Sequence, residues 1–212
     1  MTSFLWLGGA LLVGYWLWRR RRGGAQDAYI RHYGFPSRLR LKLLERYPQL
    51  SPEQSARTVQ GLREYFLICR LGGRQQVAMP SQAVDLVWHE LILHTRLYQH
   101  FCQRALGRFL HHTPSEAMQQ PTDAQASIRR TWRLACAREG INPKRPDRLP
   151  LLFALDAELG IADGFRYQLQ CQPGDQAYCA SHIGCSSGCS GGSGDSSDGG
   201  GDGGGGCGGG GD

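Results

Sequence analysis

Hydrophobic positions divide the chain into three kinds of segment. One is an uninterrupted apolar run, one a series of helical repeats, and one a terminal stretch almost without apolar residues. The run is Thr2 to Trp18, which carries no charge. The repeats begin at Pro36, where Leu39, Leu41, Leu43 and Leu44 predict a helix to about Arg46, closed near Pro48. Ser51-Pro52-Glu53-Gln54 has the form of a helix start: a serine cap, proline in the first turn and a capping-box partner three residues on. The helix it opens runs to about Arg70, with Val59, Leu62, Tyr65, Phe66 and Cys69 at core spacing, and stops before Gly72-Gly73. Ser81 caps the next, predicted to be one long helix from Gln82 to Leu106 that ends at Gly107. Residues 108–113 read as an extended segment or loop. A further helix, capped by Thr122, fits Asp123 to about Arg138, with Gly140 as its stop. Leu149–Leu159 reads as a last, shorter helix and Phe165–Leu169 as strand or coil.

The apolar run is followed at once by Arg19, Arg20, Arg21 and Arg22. In helical form it spans about 26 Å, a little short of a hydrocarbon core of ~30 Å. Snorkelling arginines and interfacial Trp6, Trp16 and Trp18 can absorb that mismatch. A signal peptide carries its positive charge before the apolar run, whereas here it follows. The expected fold class is therefore mainly α. It comprises a single transmembrane helix (2–18), a basic juxtamembrane linker (19–35), a compact helical domain (36–170) and a disordered Gly/Ser/Cys-rich tail (171–212). The positive-inside rule makes the four arginines the orienting residues. The expected location is thus the cell inner membrane, single-pass, with membrane lipid as partner, the N-terminus outside and the domain cytoplasmic.

Charge changes the picture in one respect. The net +6 conceals a tail with no Lys or Arg and five Asp, so the excess of positive charge lies before residue 171. Apart from the arginine run, that excess is scattered over helices rather than gathered with aromatics into a face, which argues against a nucleic-acid partner. The tail holds 17 of the 30 glycines and cannot bury enough apolar surface to offset its ordering entropy. Cys179, Cys185 and Cys189 with His182 have zinc-ligand chemistry there, without the paired knuckles of known zinc modules. Cys69, Cys102 and Cys136 stand singly in apolar contexts, as buried thiols do.

Candidate chemistry concentrates on the helix from Gln82. At about 100° per residue, Val84, Val87, Trp88, Leu91, Thr95, Tyr98, Phe101, Cys102 and Ala105 form a core face. Leu86, Leu93 and Leu97 lie nearly opposite. Asp85, His89 and Arg96 fall in a polar line between the two strips. Asp85 and His89 are an i, i+4 pair, so the carboxylate can fix one imidazole nitrogen and free the other for a metal, a proton or a substrate. Such a line can equally be a structural hydrogen-bond cluster. His89-Glu90 through His94 resembles a zinc-protease motif but is one residue too long, because i, i+5 histidines stand about 140° apart. His111-His112 is the second cluster. Gly107 lets the chain turn back, so that one of the two can face Asp85 and His89, and which one is open. An Asp/His/His set of this kind suits zinc or iron.

The motifs Asp85-Leu86-Val87-Trp88-His89, Phe101-Cys102 and Gly107 to His112 before Pro114 occur here in order. In them the chain resembles the bacterial glycine-rich domain-containing proteins and, more distantly, the glycine-rich domain proteins of plants. The likeness covers about thirty residues closely (Asp85 to Pro114) and the Gly/Cys tail in a general way. It implies no established activity, and it points to Asp85, Trp88, His89, His111 and His112 as the positions that matter. The leading reading is a binding or scaffold module with an Asp/His metal site, its Trp88, Arg96, Tyr98, Cys102 and Gly107 in support, and its protein partner unidentified. The alternative is a metal-dependent, hydrolytic enzyme using His89 and His111 or His112. A third reading makes the Gly/Cys tail the functional part.

Overall fold

Five consecutive buried residues, Tyr65 to Cys69, leave that stretch of one helix with no face for solvent, and the other described helices pack around it. The computed structural model describes residues 2–112, 121–170, 178–180 and 183. Its helices are α1 (Thr2–His32), α2 (Arg38–Arg46), α3 (Pro52–Gly72), α4 (Gln82–Leu93), α5 (Thr95–Leu106), α6 (Pro121–Glu139) and α7 (Leu151–Glu158). The central helix is α3, and all six others pack on it. It starts where the sequence predicts: the Ser51 hydroxyl accepts from the Gln54 amide, and the Gln54 side chain accepts from the Ser51 amide. Gly61 lies where α4 and α7 come closest to it. A Cβ there would meet Val84 Cγ2 at 2.8 Å and Leu155 Cδ2 at 2.9 Å, so any side chain would push these helices apart.

The N-terminal region corrects the membrane expectation. Among the described residues no helix is long and apolar enough to cross a membrane. The physical reason is in the run itself. It includes Thr2, Ser3, three glycines, three tryptophans and a tyrosine, all weak contributors to hydropathy, and four arginines follow in the same helix. The expected single-pass anchor falls, and with it the inner-membrane location, the lipid partner and the orienting role of Arg19, Arg20, Arg21 and Arg22. The helix runs on without a break, and its last turns pack on the core. Ile30 is fully buried, Arg70 forms a two-pronged ion pair with Asp27, and Tyr29 and Tyr33 pack on Phe101. Arg63 Nη1 donates to the carbonyls of Ile30 (2.6 Å) and Tyr33 (3.1 Å), satisfying the last turn of α1.

Two further differences matter. The helix expected from Gln82 to Leu106 is broken at His94, whose ψ of 62° leaves the helical region. Neither Gly nor Pro marks the break, so it is a tertiary effect: the change of direction lets α4 pack on α2 while α5 packs on α1. Near the other end, Tyr178–Cys179 (β2) pairs in parallel with Tyr167–Gln168 (β1). Structure therefore continues beyond Cys171, where composition predicts disorder. Tyr178 stacks near Tyr167, with ring centroids 5.5 Å apart, and Ala180 is buried. The other proposed tail ligands, His182, Cys185 and Cys189, lie outside the described residues.

Candidate metal centre

The site is built on the first turns of α4, and that end of the helix is fixed by a carboxylate from another element. Asp156 of α7, 2 % exposed, accepts from the Ser81 hydroxyl (2.6 Å) and from the amides of Gln82 (2.7 Å), Ala83 (3.2 Å) and Phe165 (2.9 Å). Ser81 in turn accepts from the Val84 amide, as the N-cap pattern predicts. Asp85 follows in the first turn, where the helix dipole favours negative charge.

The opposite wall is the segment after α5. Gly107 takes the left-handed conformation (φ 70°) that ends α5 and reverses the chain. Tyr98 then holds the returning strand: its hydroxyl donates to the Leu110 carbonyl (2.6 Å) and accepts from Trp88 Nε1 (3.1 Å). One residue therefore ties α4, α5 and the histidine segment together. Burial pushes the Tyr98 hydroxyl pKa far up, so it stays a neutral donor. The Cys102 thiol beside it is raised by burial as well.

Of the paired histidines, His111 is exposed at the edge of the same cleft against the Phe109 ring, whereas His112 is half-buried and reaches Asp85. The His112 ring lies between Trp88 and His89, with centroids 4.7 Å and 4.1 Å away. His112 Nε2 is 3.1 Å from Asp85 Oδ1, and His89 Nδ1 is 3.1 Å from Asp85 Oδ2 and 2.9 Å from the Asp85 carbonyl. That carbonyl only accepts, so His89 Nδ1 is the donor in that contact. One ligand atom from each of Asp85, His89 and His112 lies within 4.8 Å of the others. All three line a cavity of about 440 Å³ together with Arg74, Gln82, Arg108 and the Cys69 side chain. Burial raises the Cys69 thiol to about 12, which keeps the free thiol protonated at neutral pH, so it is no ready thiolate nucleophile.

The structure thus brings together Asp85, His89 and His112, with Trp88, Tyr98, Cys102 and Gly107 behind them. Arg96 is not among them. It stands exposed on α5, because the break at His94 removes the alignment a straight helix would give. Glu90 turns to the other side, where Arg38 Nε donates to it at 3.2 Å and His94 lies 3.8 Å away. Residues the pattern missed include Arg74 and Arg108, which depend on how loops fold, and Asp156. The last had a signal: an acid within the otherwise apolar stretch Leu151–Leu155 and Ala157 calls for buried partners.

These features define a class: a helical domain wrapped on one central helix, with an Asp–His–His cluster opening into a cleft. The chain belongs to the UCP032817-like family, whose family model matches residues 25–185. No curated protein and no solved structure gives a significant match. The expected kinship with glycine-rich domain proteins is overturned by this assignment. The matched span ends before the glycine run, so the tail's likeness is one of composition. The family's name carries no activity, and the chemistry rests on the site.

Proposed function

We propose that this protein is a metal-binding domain in which Asp85, His89 and His112 hold zinc or ferrous iron on the wall of the cleft. The observation that carries this reading is the convergence of one carboxylate and two imidazoles within 4.8 Å, on an open cavity, from two separate parts of the chain. Asp85 lies 3.1 Å from a nitrogen of each imidazole, so the three side chains are already gathered at one point of the wall. Two histidines and one carboxylate suit zinc or ferrous iron and leave positions for water or a substrate. Three protein ligands facing a cleft is the arrangement of a working site rather than a closed structural one. That favours a metal-dependent, hydrolytic enzyme over a passive scaffold.

The same 3.1 Å separations are ordinary hydrogen-bond lengths, and they favour a second reading, a structural Asp–His–His cluster that locks α4 to the returning segment. Elemental analysis of the purified full-length chain, after addition and removal of excess zinc or ferrous iron, separates the two. Metal held anywhere else on the chain is common to all the proteins, so the difference between them is what counts. The wild type is expected to hold about one more metal per chain than His89→Ala or His112→Ala, with His111→Ala like the wild type. Equal metal in all four folded proteins would leave the structural cluster as the function of these residues.

A further inference from the structure

The cleft has a charge that its own residues do not balance. Its ionised side chains are Asp85, Arg74 and Arg108, and Asp85 is engaged by the two imidazoles. Among the described residues neither arginine has a carboxylate partner. Arg108 is half-buried and held by backbone: Nη2 donates to the Gly73 carbonyl at 2.5 Å and Nη1 to the Phe109 carbonyl at 3.4 Å. Those contacts orient the guanidinium without neutralising it, and they leave most of its five N–H donors unused. Arg74 is exposed at the same rim. With a divalent ion at the triad the cleft would carry a net charge of about +3, in a space of small-molecule size.

We infer that the cleft takes a small anionic ligand, with a carboxylate or phosphate group on Arg108, Arg74 closing over it, and the far end of the molecule directed at the metal. This rests on the metal reading above. A planar guanidinium already fixed by carbonyls loses little entropy on binding a two-oxygen group, which is what arginine offers over lysine. A neutral ligand would leave the positive charge of the cleft uncompensated.

The test uses the full-length chain loaded with cobalt(II), whose visible spectrum reports on its ligands, titrated with malonate, inorganic phosphate and neutral malonamide. Malonate or phosphate should bind, seen by calorimetry and by a spectral change, while malonamide does not. Arg108→Gln should weaken that binding at least about tenfold with cobalt content unchanged, and Arg108→Lys, which keeps the charge but loses the fork, should fall between. Whichever anion binds more tightly identifies the headgroup. Binding that is unchanged in the Arg74→Gln/Arg108→Gln double variant would overturn the inference. So would a cobalt-loaded wild type that ignores both anions, or one that takes malonamide equally well. If the wild type holds no more cobalt than His89→Ala, the metal reading fails separately. Phosphate binding by the metal-free chain that disappears in Arg108→Gln would then still uphold the anion cleft, and no such binding would overturn it.

Discussion

Two carboxylates meet the first turn of α4, and they are used in opposite ways. Asp156 reaches it from α7, almost fully buried, and its two oxygens are filled by one hydroxyl and three backbone amides. None of those donors titrates near neutral pH, and none has an alternative partner, so the group is a fixed part of the frame. Asp85 lies one turn away and is paired with two imidazoles on the wall of an open cleft. Its partners can change protonation and can coordinate a metal. The difference shows what separates a structural acid from a chemically available one. Burial alone does not decide it; the chemistry of the partners and access to a cavity do.

The sharpest way to break that comparison is to remove the frame. Asp156→Ala leaves the Ser81 hydroxyl and three amides without their acceptor, two of the four donors fully buried. A charge-assisted bond contributes roughly 1.5–3 kcal/mol, and each orphaned buried donor adds a cost. A loss of about 3–5 kcal/mol is expected, read from the shift in urea midpoint at constant slope. Asp156→Asn, which keeps one acceptor, should lose less. A loss under about 1 kcal/mol for the alanine variant would mean that Asp156 does not hold the end of α4, because buried networks of this kind normally cost more to break.

Tyr98→Phe tests the joint between frame and site with a smaller effect. It deletes only a hydroxyl, but that oxygen serves both Trp88 Nε1 and the Leu110 carbonyl. One buried donor and one part-buried acceptor lose their partner, so about 1–2 kcal/mol of stability should go. If the metal reading holds, metal affinity should also drop about tenfold, because His112 loses the tether two residues before it and supporting shells are typically worth that much. A stability loss with unchanged metal affinity would show that the loop is held by other contacts, and that Tyr98 belongs to the frame alone.

Local patterns in the sequence carried the helices well. Ser51 with Gln54, Ser81 and Gly107 place their helix ends by rules that act within a few residues. The Asp85–His89 spacing and the turn at Gly107 also pointed to the place where Asp85, His89 and His112 meet. What was not legible depends on the fold as a whole. His94 breaks a helix with no local breaker, and Arg108 reaches the cleft because its guanidinium meets the Gly73 carbonyl, 35 residues earlier. The N-terminal run misled for a related reason. Its uncharged length suggested an anchor, while the apolar content falls short and the last turns of the same helix are bound to the core through Asp27 and Ile30.

The smallest expected effect belongs to a residue that the straight-helix pattern placed in the site. On an unbroken helix, Arg96 would fall on the same side as Asp85 and His89. With the chain turned at His94, it stands exposed and makes no described hydrogen bond or ion pair. Arg96→Ala should therefore leave stability within about 0.5 kcal/mol and metal content at the wild-type value. Arg108→Gln, measured beside it, should also leave metal content unchanged while weakening anion binding. A measurable loss of metal in Arg96→Ala would mean that α4 and α5 straighten into one helix in solution. That would restore the polar line and remove the turn on which the present geometry of His112 depends.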